Sequence, residues 1–157
     1  MSIDQNASKV ISLTWQDIHQ ATTRLVESLE GKGPFKGIVA ITRGGLVPAA
    51  IIARILDIRL IETICIRSYS DSNTQGSMTI LKEAKCVEDD GEGWLIVDDL
   101  VDSGATAKEI HRMLPKGLYV TVYAKPLGRP EADIAVIDVQ QETWLVFPWD
   151  LDPPTDF

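Results

Sequence analysis

One segment limits the possible folds more than any other: an apolar run that stops abruptly at two adjacent carboxylates. Leu95, Ile96 and Val97 lead directly into Asp98 and Asp99. An apolar run bounded in this way predicts a buried parallel strand. A third acid, a loop of small residues and apolar positions at helical spacing come next, namely Asp102, then Ser103, Gly104, Ala105 and Thr106, then Ala107, Ile110 and Leu114. The order of strand, tight loop and helix is typical of α/β proteins.

The junction between this strand and this helix predicts a site for an anion that also carries hydroxyl groups. Backbone N–H groups converge at a helix N-terminus, and the helix dipole favours negative charge there. Carboxylates beside an anion would repel it unless a cation or hydroxyl groups lay between them. A sugar phosphate meets this condition, because the amides can bind its phosphate while the acids bind ribose hydroxyls and a hydrated Mg²⁺.

Strands and helices alternate along the rest of the chain, which predicts an α/β fold with a parallel sheet covered by helices on both faces. The predicted helices run from Trp15 to near Gly31, after a capping box of Thr14 and Asp17, and over 46–56. The predicted strands are 37–42, 60–66, 78–87, 118–123, 134–139 and 144–147. Ligands are expected at the carboxyl ends of the strands. The polar stretch of about 67–79 predicts a flexible loop, which is either a lid or a disordered insertion.

Length and charge exclude several classes of protein. A chain of 157 residues is long enough for one full core, so we expect a single domain over 1–157. The formal net charge of -8 argues against nucleic acid as a partner, so an anionic substrate has to be held by local groups. The first residues form no apolar signal-peptide core, and no apolar run approaches the ~18 residues of a membrane helix. These features predict a cytoplasmic protein.

Two further segments carry candidate binding residues. Arg43 and Gly44 follow a predicted strand on the same side of the sheet as the carboxylates. Glycine allows a sharp turn and close approach of the backbone, while arginine offers a forked donor to phosphate oxygens. Lys125 ends a later strand, and Trp144 lies in the last one. Each feature alone also has an ordinary interpretation, as a loop, a solvated lysine and a core tryptophan.

The segment 95–106 resembles the phosphoribosyl pyrophosphate (PRPP) signature of the type I phosphoribosyltransferases. Shared features are an apolar strand, two acids, two apolar residues, a third acid, a Ser/Thr-Gly pair and a threonine. Further motifs make nearly the whole chain similar to the bacterial xanthine-guanine members of that family, at 42–48, 91–93, 98–102, 124–130, 143–144 and 148–150. The resemblance implies the type I phosphoribosyltransferase fold, with a flexible hood loop at about 67–79 and a small purine-recognition hood at about 124–157.

The same resemblance implies an activity and its cofactor. The enzyme would transfer the 5-phosphoribosyl group from PRPP to N9 of a 6-oxopurine, with Mg²⁺, giving the nucleoside 5′-monophosphate and pyrophosphate. Asp102 would be the general acid/base near purine N7, and Asp99 would lie in the Mg²⁺ shell. The ribose and 5′-phosphate of PRPP would be bound by Asp98, Asp99, Asp102, Ser103, Gly104, Ala105 and Thr106.

The remaining roles also come from the family. Pyrophosphate would be bound by Arg43 and Gly44, with Lys82 in place of a family arginine. The purine would meet Lys125 at its 6-oxo group, the ring of Trp144, the backbone of Leu145, and Asp150. The flexible loop would close over the site from Ser68 and Tyr69. Relatives assemble into dimers or tetramers, so a homo-oligomer is expected. Membrane association would be peripheral and rests on analogy alone.

Two departures and three alternatives accompany this interpretation. Glu83 stands where the family pattern has an arginine, and the tail after Asp150 differs from the family. A hypoxanthine-guanine enzyme of the same fold is the nearest alternative, since only the contact at the purine 2-position separates the two. A non-enzymatic regulator that senses PRPP or a nucleotide would be expected to add a basic face or a nucleic-acid-binding domain. A Rossmann dinucleotide protein would need the G-x-G-x-x-G spacing, which is absent here.

Overall fold

A computed structural model of the chain describes residues 9–68 and 77–150. Each predicted helix and strand is present, although in two parts of the chain strands follow one another without an α-helix between them. In chain order the elements are β1 (Val10–Ser12), α1 (Trp15–Glu27), β2 (Gly37–Thr42), α2 (Leu46–Ile55), β3 (Ile61–Ser68), β4 (Met78–Lys82), β5 (Trp94–Val101), α3 (Ala105–Met113), β6 (Leu118–Ala124), β7 (Ile134–Asp138) and β8 (Trp144–Val146).

Six of the strands form one sheet in the order β4-β3-β2-β5-β6-β7. Its strands are parallel except β4, which lies antiparallel at the edge beside β3. In the centre, β2 pairs with β5 so that Ala40 lies opposite Val97. The carboxyl ends of these strands therefore meet at one edge of the sheet, where ligands bind in open α/β sheets. A separate two-stranded sheet pairs β1 with β8 in parallel, with Ile11 opposite Leu145.

Both faces of the main sheet are covered by helices, which confirms the predicted fold class. The amphipathic helix α1 and the more apolar α2 cover one face, and α3 covers the other. Residues of β5 alternate between the two cores, with Leu95 and Val97 facing α1 and α2 while Ile96 faces α3. A strand buried on both sides has to be apolar throughout, which explains the continuous run before Asp98.

Several boundaries differ from those predicted. The capping box of Thr14 and Asp17 is present at the start of α1, but Trp15 is 57% exposed and lies off the core face of the helix. Strand β4 stops at Lys82 rather than at residue 87, and a short 3₁₀ turn follows at Asp89–Gly91. Most of the predicted flexible loop, including Tyr69, lies outside the described residues, as does the tail 151–157. No helix in the described ranges is long and apolar enough to cross a membrane.

Strand β1 was not predicted, and its length explains why. It has three residues, of which Val10 is 53% exposed, so it carries almost no alternation of apolar and polar side chains. Its strand conformation depends on pairing with β8, more than a hundred positions away in sequence. Tertiary pairing of this kind overrides local propensity.

The edge strand β4 is attached to the sheet by an ion pair. The Lys82 ammonium lies 2.6 Å from a Glu62 carboxylate oxygen and also donates to the Thr63 carbonyl. The second oxygen of Glu62 accepts from the Cys86 backbone N–H at 3.3 Å. The Lys82 ammonium, with the Thr63 N–H, holds the pKa of Glu62 at about 2, well below 4.5. This pair therefore contributes stability above pH 4.5 and loses it as the pH falls towards 2.

We expect Lys82→Met to reduce the free energy of unfolding by about 1 kcal/mol at pH 7, because the ion pair is partly exposed. The difference from the wild type should narrow as the pH falls below 4.5, since Glu62 then loses its charge in both proteins. Urea denaturation at several pH values measures this, with the exposed Lys85→Met as the matched control. A difference that stayed constant with pH would show that the ion pair does not anchor β4.

Candidate active site

The carboxyl ends of β2, β5 and β6 carry the predicted site residues to one edge of the sheet. Arg43 follows β2, the acids Asp98 and Asp99 lie near the end of β5, and Lys125 follows β6. Pairing of Val101 with Ala124 places Lys125 beside the start of the loop that contains Asp102. The sheet topology, rather than proximity in sequence, brings these groups together.

The loop after β2 packs against the end of β5, and its two glycines make this approach possible. A Cβ atom on Gly44 would overlap the Asp99 carboxylate, and one on Gly45 would overlap the Val97 carbonyl. The Thr42–Arg43 peptide bond is cis. Arg43, Gly44 and Asp99 line one cavity of about 620 Å³, together with side chains from α2 and the C-terminal segment. A guanidinium and a carboxylate thus face the same space, as an anion accompanied by a cation requires.

The two adjacent acids of β5 lie in different environments. Asp98 is 7% exposed and accepts hydrogen bonds from the Tyr119 hydroxyl at 2.9 Å and from the Asp99 backbone N–H at 2.9 Å. Asp99 lines the cavity and accepts from the Leu100 backbone N–H at 2.7 Å. Burial raises the pKa of Asp98. Burial, and then the charge of Asp98, raise the pKa of Asp99 well above its usual range. A cation at Asp99 would offset both effects.

The loop after β5 forms a hollow at the start of α3. Residues Ser103 to Thr106 line a cavity of about 100 Å³, closed at one side by Tyr119. Gly104 has φ +87°, a conformation that other residues rarely adopt, and a Cβ there would lie 2.8 Å from Glu131 Cγ. The loop therefore turns at Gly104 and presents the first amides of α3, which is the geometry of an anion site at a helix N-terminus.

Asp102 and Lys125 form the main charged pair of the site. Lys125 is 6% exposed, and its ammonium lies 3.0 Å from Asp102 Oδ2. The other carboxylate oxygen, Oδ1, accepts from Gln141 Nε2 at 2.8 Å. A buried ammonium needs a compensating partner, and Asp102, which is half exposed, supplies it from the rim of the site.

The predicted site residues of the C-terminal segment lie in three different environments. Trp144 is 43% exposed, whereas the Leu145 side chain is buried in the core under α1. The Asp150 carboxylate accepts from the Phe147 backbone N–H at 2.8 Å and so closes a turn at the rim of the larger cavity. Phe147 and Trp149 stack with centroids 4.7 Å apart and also line that cavity.

The structure thus gathers most of the predicted residues but not all of them. Lys82 pairs with Glu62 and is not among the residues that line the cavity with Arg43, so its pyrophosphate role receives no support. Ser68 ends β3 and is exposed. Gln141 and Tyr119 were missed, because neither belongs to a motif and only the fold brings them to Asp102 and Asp98.

Comparison with known proteins agrees with this geometry. Residues 13–155 match the family model of the phosphoribosyl transferase domain. The chain belongs to the phosphoribosyltransferase family. This confirms the resemblance inferred from the PRPP signature, and the cavity, the loop at Gly104 and the acids of β5 all lie within the matched range.

Individual relatives show which members of the family this chain is similar to. This phosphoribosyltransferase is 53% identical over 150 residues to a xanthine-guanine phosphoribosyltransferase of Nitratidesulfovibrio vulgaris (strain DP4), covering 96% of this chain and 90% of the relative. It is 47% identical over 151 residues to that of Chromohalobacter salexigens, covering 96% and 90%. The crystal structure of a purine phosphoribosyltransferase from Pyrococcus horikoshii superimposes with a TM-score of 0.78 at 26% identity, covering 95% of this chain and 99% of the other.

We expect Tyr119→Phe to lower the free energy of unfolding by about 1–3 kcal/mol, because a buried carboxylate oxygen of Asp98 would lose its hydrogen-bond donor. Tyr123→Phe is the matched control on the same strand, since Tyr123 packs against Phe147 in the other core and should change stability by less than about 1 kcal/mol. Urea denaturation of both variants measures the difference. Equal losses in the two would contradict a specific role of the Tyr119 hydroxyl.

Proposed function

We propose that this enzyme transfers the 5-phosphoribosyl group of PRPP to N9 of a 6-oxopurine, guanine or xanthine above all, giving the nucleoside 5′-monophosphate and pyrophosphate. The observation that carries this proposal is the Lys125–Asp102 pair, 3.0 Å apart at the edge of the site. Relatives with about half of their residues identical are named as xanthine-guanine phosphoribosyltransferases. The activity is a step of purine salvage.

The charged pair complements one edge of a 6-oxopurine. Such a base carries an acceptor, the 6-oxo oxygen, directly beside N7, which carries a proton in one tautomer. The ammonium of Lys125 can donate only, and the ionised carboxylate of Asp102 can accept only. A purine that bridged the two would satisfy both charges. Adenine presents an amino group in place of the oxygen, and that donor would face the Lys125 ammonium.

The final strand β8 offers the two other contacts that a purine needs. Trp144 is exposed and provides an apolar face on which the base could stack. The Trp144 N–H donates to the Lys9 carbonyl and the Val146 carbonyl accepts from the Leu13 N–H, so the backbone of both residues faces the segment that contains β1. Peptide groups alternate in direction along a strand, so those of Leu145 point to the side away from β1. They are thus available to read the purine 2-position, which would distinguish guanine and xanthine from hypoxanthine.

PRPP would lie along the carboxyl ends of β5 and β2. The amides and hydroxyls of the loop from Ser103 to Thr106 suit its 5′-phosphate, and Arg43 with the Gly44 backbone suits its pyrophosphate. Asp99 would contact the ribose hydroxyls from the cavity, and Asp102 would lie on the base side of C1′. A ribose contact by Asp98 stays a prediction, since its carboxylate is bonded to Tyr119.

The donor set around Asp99 fits Mg²⁺ carried with PRPP. Asp99 presents a carboxylate to the cavity, and burial and the neighbouring Asp98 raise its pKa, so that a cation beside it would favour its ionised form. No cluster of three or more metal-ligating side chains is found in the described ranges 9–68 and 77–150. An Mg²⁺ ion that enters with a phosphorylated substrate is typically held by one or two carboxylates together with substrate oxygens. When bound, Mg²⁺ would neutralise the pyrophosphate and ease its departure.

The reaction then needs only positioning and charge from the chain. The C1′–O bond breaks and pyrophosphate leaves with the electron pair towards Arg43. The N9 lone pair forms the new bond to C1′, and the proton on N7 passes to the Asp102 carboxylate. The carboxylates of β5 favour the positive charge that develops on the sugar.

We further propose that the chain works as one domain over 1–157 and as a homo-oligomer, a dimer or tetramer.

Nucleotide formation from PRPP and Mg²⁺ with xanthine, guanine, hypoxanthine and adenine offered separately tests this function. We expect turnover of the oxopurines and a kcat/KM for adenine lower by about 10²-fold or more, because Lys125 would face an unpaired donor. Lys125→Met should lose turnover of guanine, whereas the exposed Lys116→Met should keep it. Measurable PRPP binding without turnover of any base would favour a sensor, and equal use of adenine would exclude the role of Lys125.

A further inference from the structure

Gln141 bonds to the proposed acid/base residue Asp102 with one end of its amide and to the loop after β6 with the other. It lies in the turn between β7 and β8, three residues before Trp144. Its Nε2 donates to Asp102 Oδ1 at 2.8 Å, and its Oε1 accepts from the Leu127 backbone N–H at 3.0 Å. The second bond fixes which way the amide faces, because only the nitrogen end can donate to a carboxylate.

The Asp102 carboxylate is thereby held at both oxygens, by Lys125 at Oδ2 and by Gln141 at Oδ1. When a purine occupies the site under the proposed function, the Lys125 ammonium turns to the 6-oxo oxygen. Gln141 is then the remaining side chain in the described structure that is bonded to Asp102. Asp102 is half exposed, so packing alone would not fix its rotamer.

We propose that Gln141 is a positioning residue: it holds Asp102 in the orientation that accepts the N7 proton while Lys125 is engaged by the base. The role rests on the proposed function, because it requires a purine between Asp102 and Lys125. It also links the orientation of Asp102 to the turn that precedes Trp144.

A purely structural role is the competing interpretation. Gln141 could act only by fastening the loop that contains Leu127 to the turn before β8. Two substitutions of nearly equal size separate the roles. Gln141→Glu keeps an acceptor for the Leu127 N–H but removes the donor to Asp102 and faces it with like charge. Gln141→Met removes both bonds. The neighbouring Gln140→Met, at an exposed position, is the matched control.

Steady-state kinetics with guanine and PRPP measure the outcome. We expect kcat to fall about 10- to 100-fold in both Gln141 variants, the range for a misplaced acid/base, while the KM for PRPP changes by less than about twofold. Gln140→Met should match the wild type. The comparison of kcat with the KM for PRPP matters because a general loss of structure would raise that KM as well.

Two results would overturn the proposal. A kcat for Gln141→Glu equal to that of the wild type, with loss only in Gln141→Met, would assign Gln141 to the loop contact. Equal losses in kcat and in apparent PRPP affinity would indicate disrupted structure rather than positioning. Failure of the wild type to turn over any oxopurine would overturn the proposed function and this role with it, whereas an active wild type matched by Gln141→Glu overturns the role of Gln141 alone.

Discussion

The parallel pairing of β2 with β5 at the centre of the sheet is the constraint on which the site depends. It ends both strands at one edge, so that the loop at Gly44 lies against Asp99 without room for a Cβ atom. The pairing requires an apolar β5 buried on both faces, and the strand turns polar at Asp98, directly after Val97, the last of its residues to pair with β2. The same residues that make the centre of the sheet thereby place two carboxylates at its open end. The packing that forms the centre of the sheet therefore also positions the site.

Charge is compensated unevenly across the site, and this pattern indicates what binds. The buried Lys125 is matched by Asp102, and a ligand that separated the two would have to offer an acceptor beside a donor. Asp98 and Asp99 lie side by side, and burial raises the pKa of both carboxyl groups. Their ionised forms are therefore disfavoured until a cation lies beside them, which suits a substrate that arrives with a divalent cation. A base that carries an acceptor and a donor on one edge, and a phosphorylated sugar that carries a cation, together satisfy these requirements.

Local sequence patterns predicted most of the secondary-structure elements and site residues, but not the contacts made between distant parts of the chain. The continuous apolar run before Asp98, the small loop at Gly104 and the capping box at Thr14 each have a local cause, and each was predicted from the sequence. Strand β1 was missed because its three residues depend on β8. The pyrophosphate role predicted for Lys82 from its place in a motif stays a prediction, and its bond to Glu62, twenty positions earlier, has no local signal. Gln141 carries no local signal at all, since its partner Asp102 lies 39 positions away.

A crystal structure of the enzyme with guanosine 5′-monophosphate tests the central claim, that the Lys125–Asp102 pair recognises the 6-oxo and N7 edge of the base. The mechanism predicts the Lys125 ammonium within hydrogen-bond distance of the 6-oxo oxygen, Asp102 facing N7, and the phosphate on the amides at the start of α3. A nucleotide bound with the Lys125–Asp102 pair still closed, or with its base away from both residues, would contradict it.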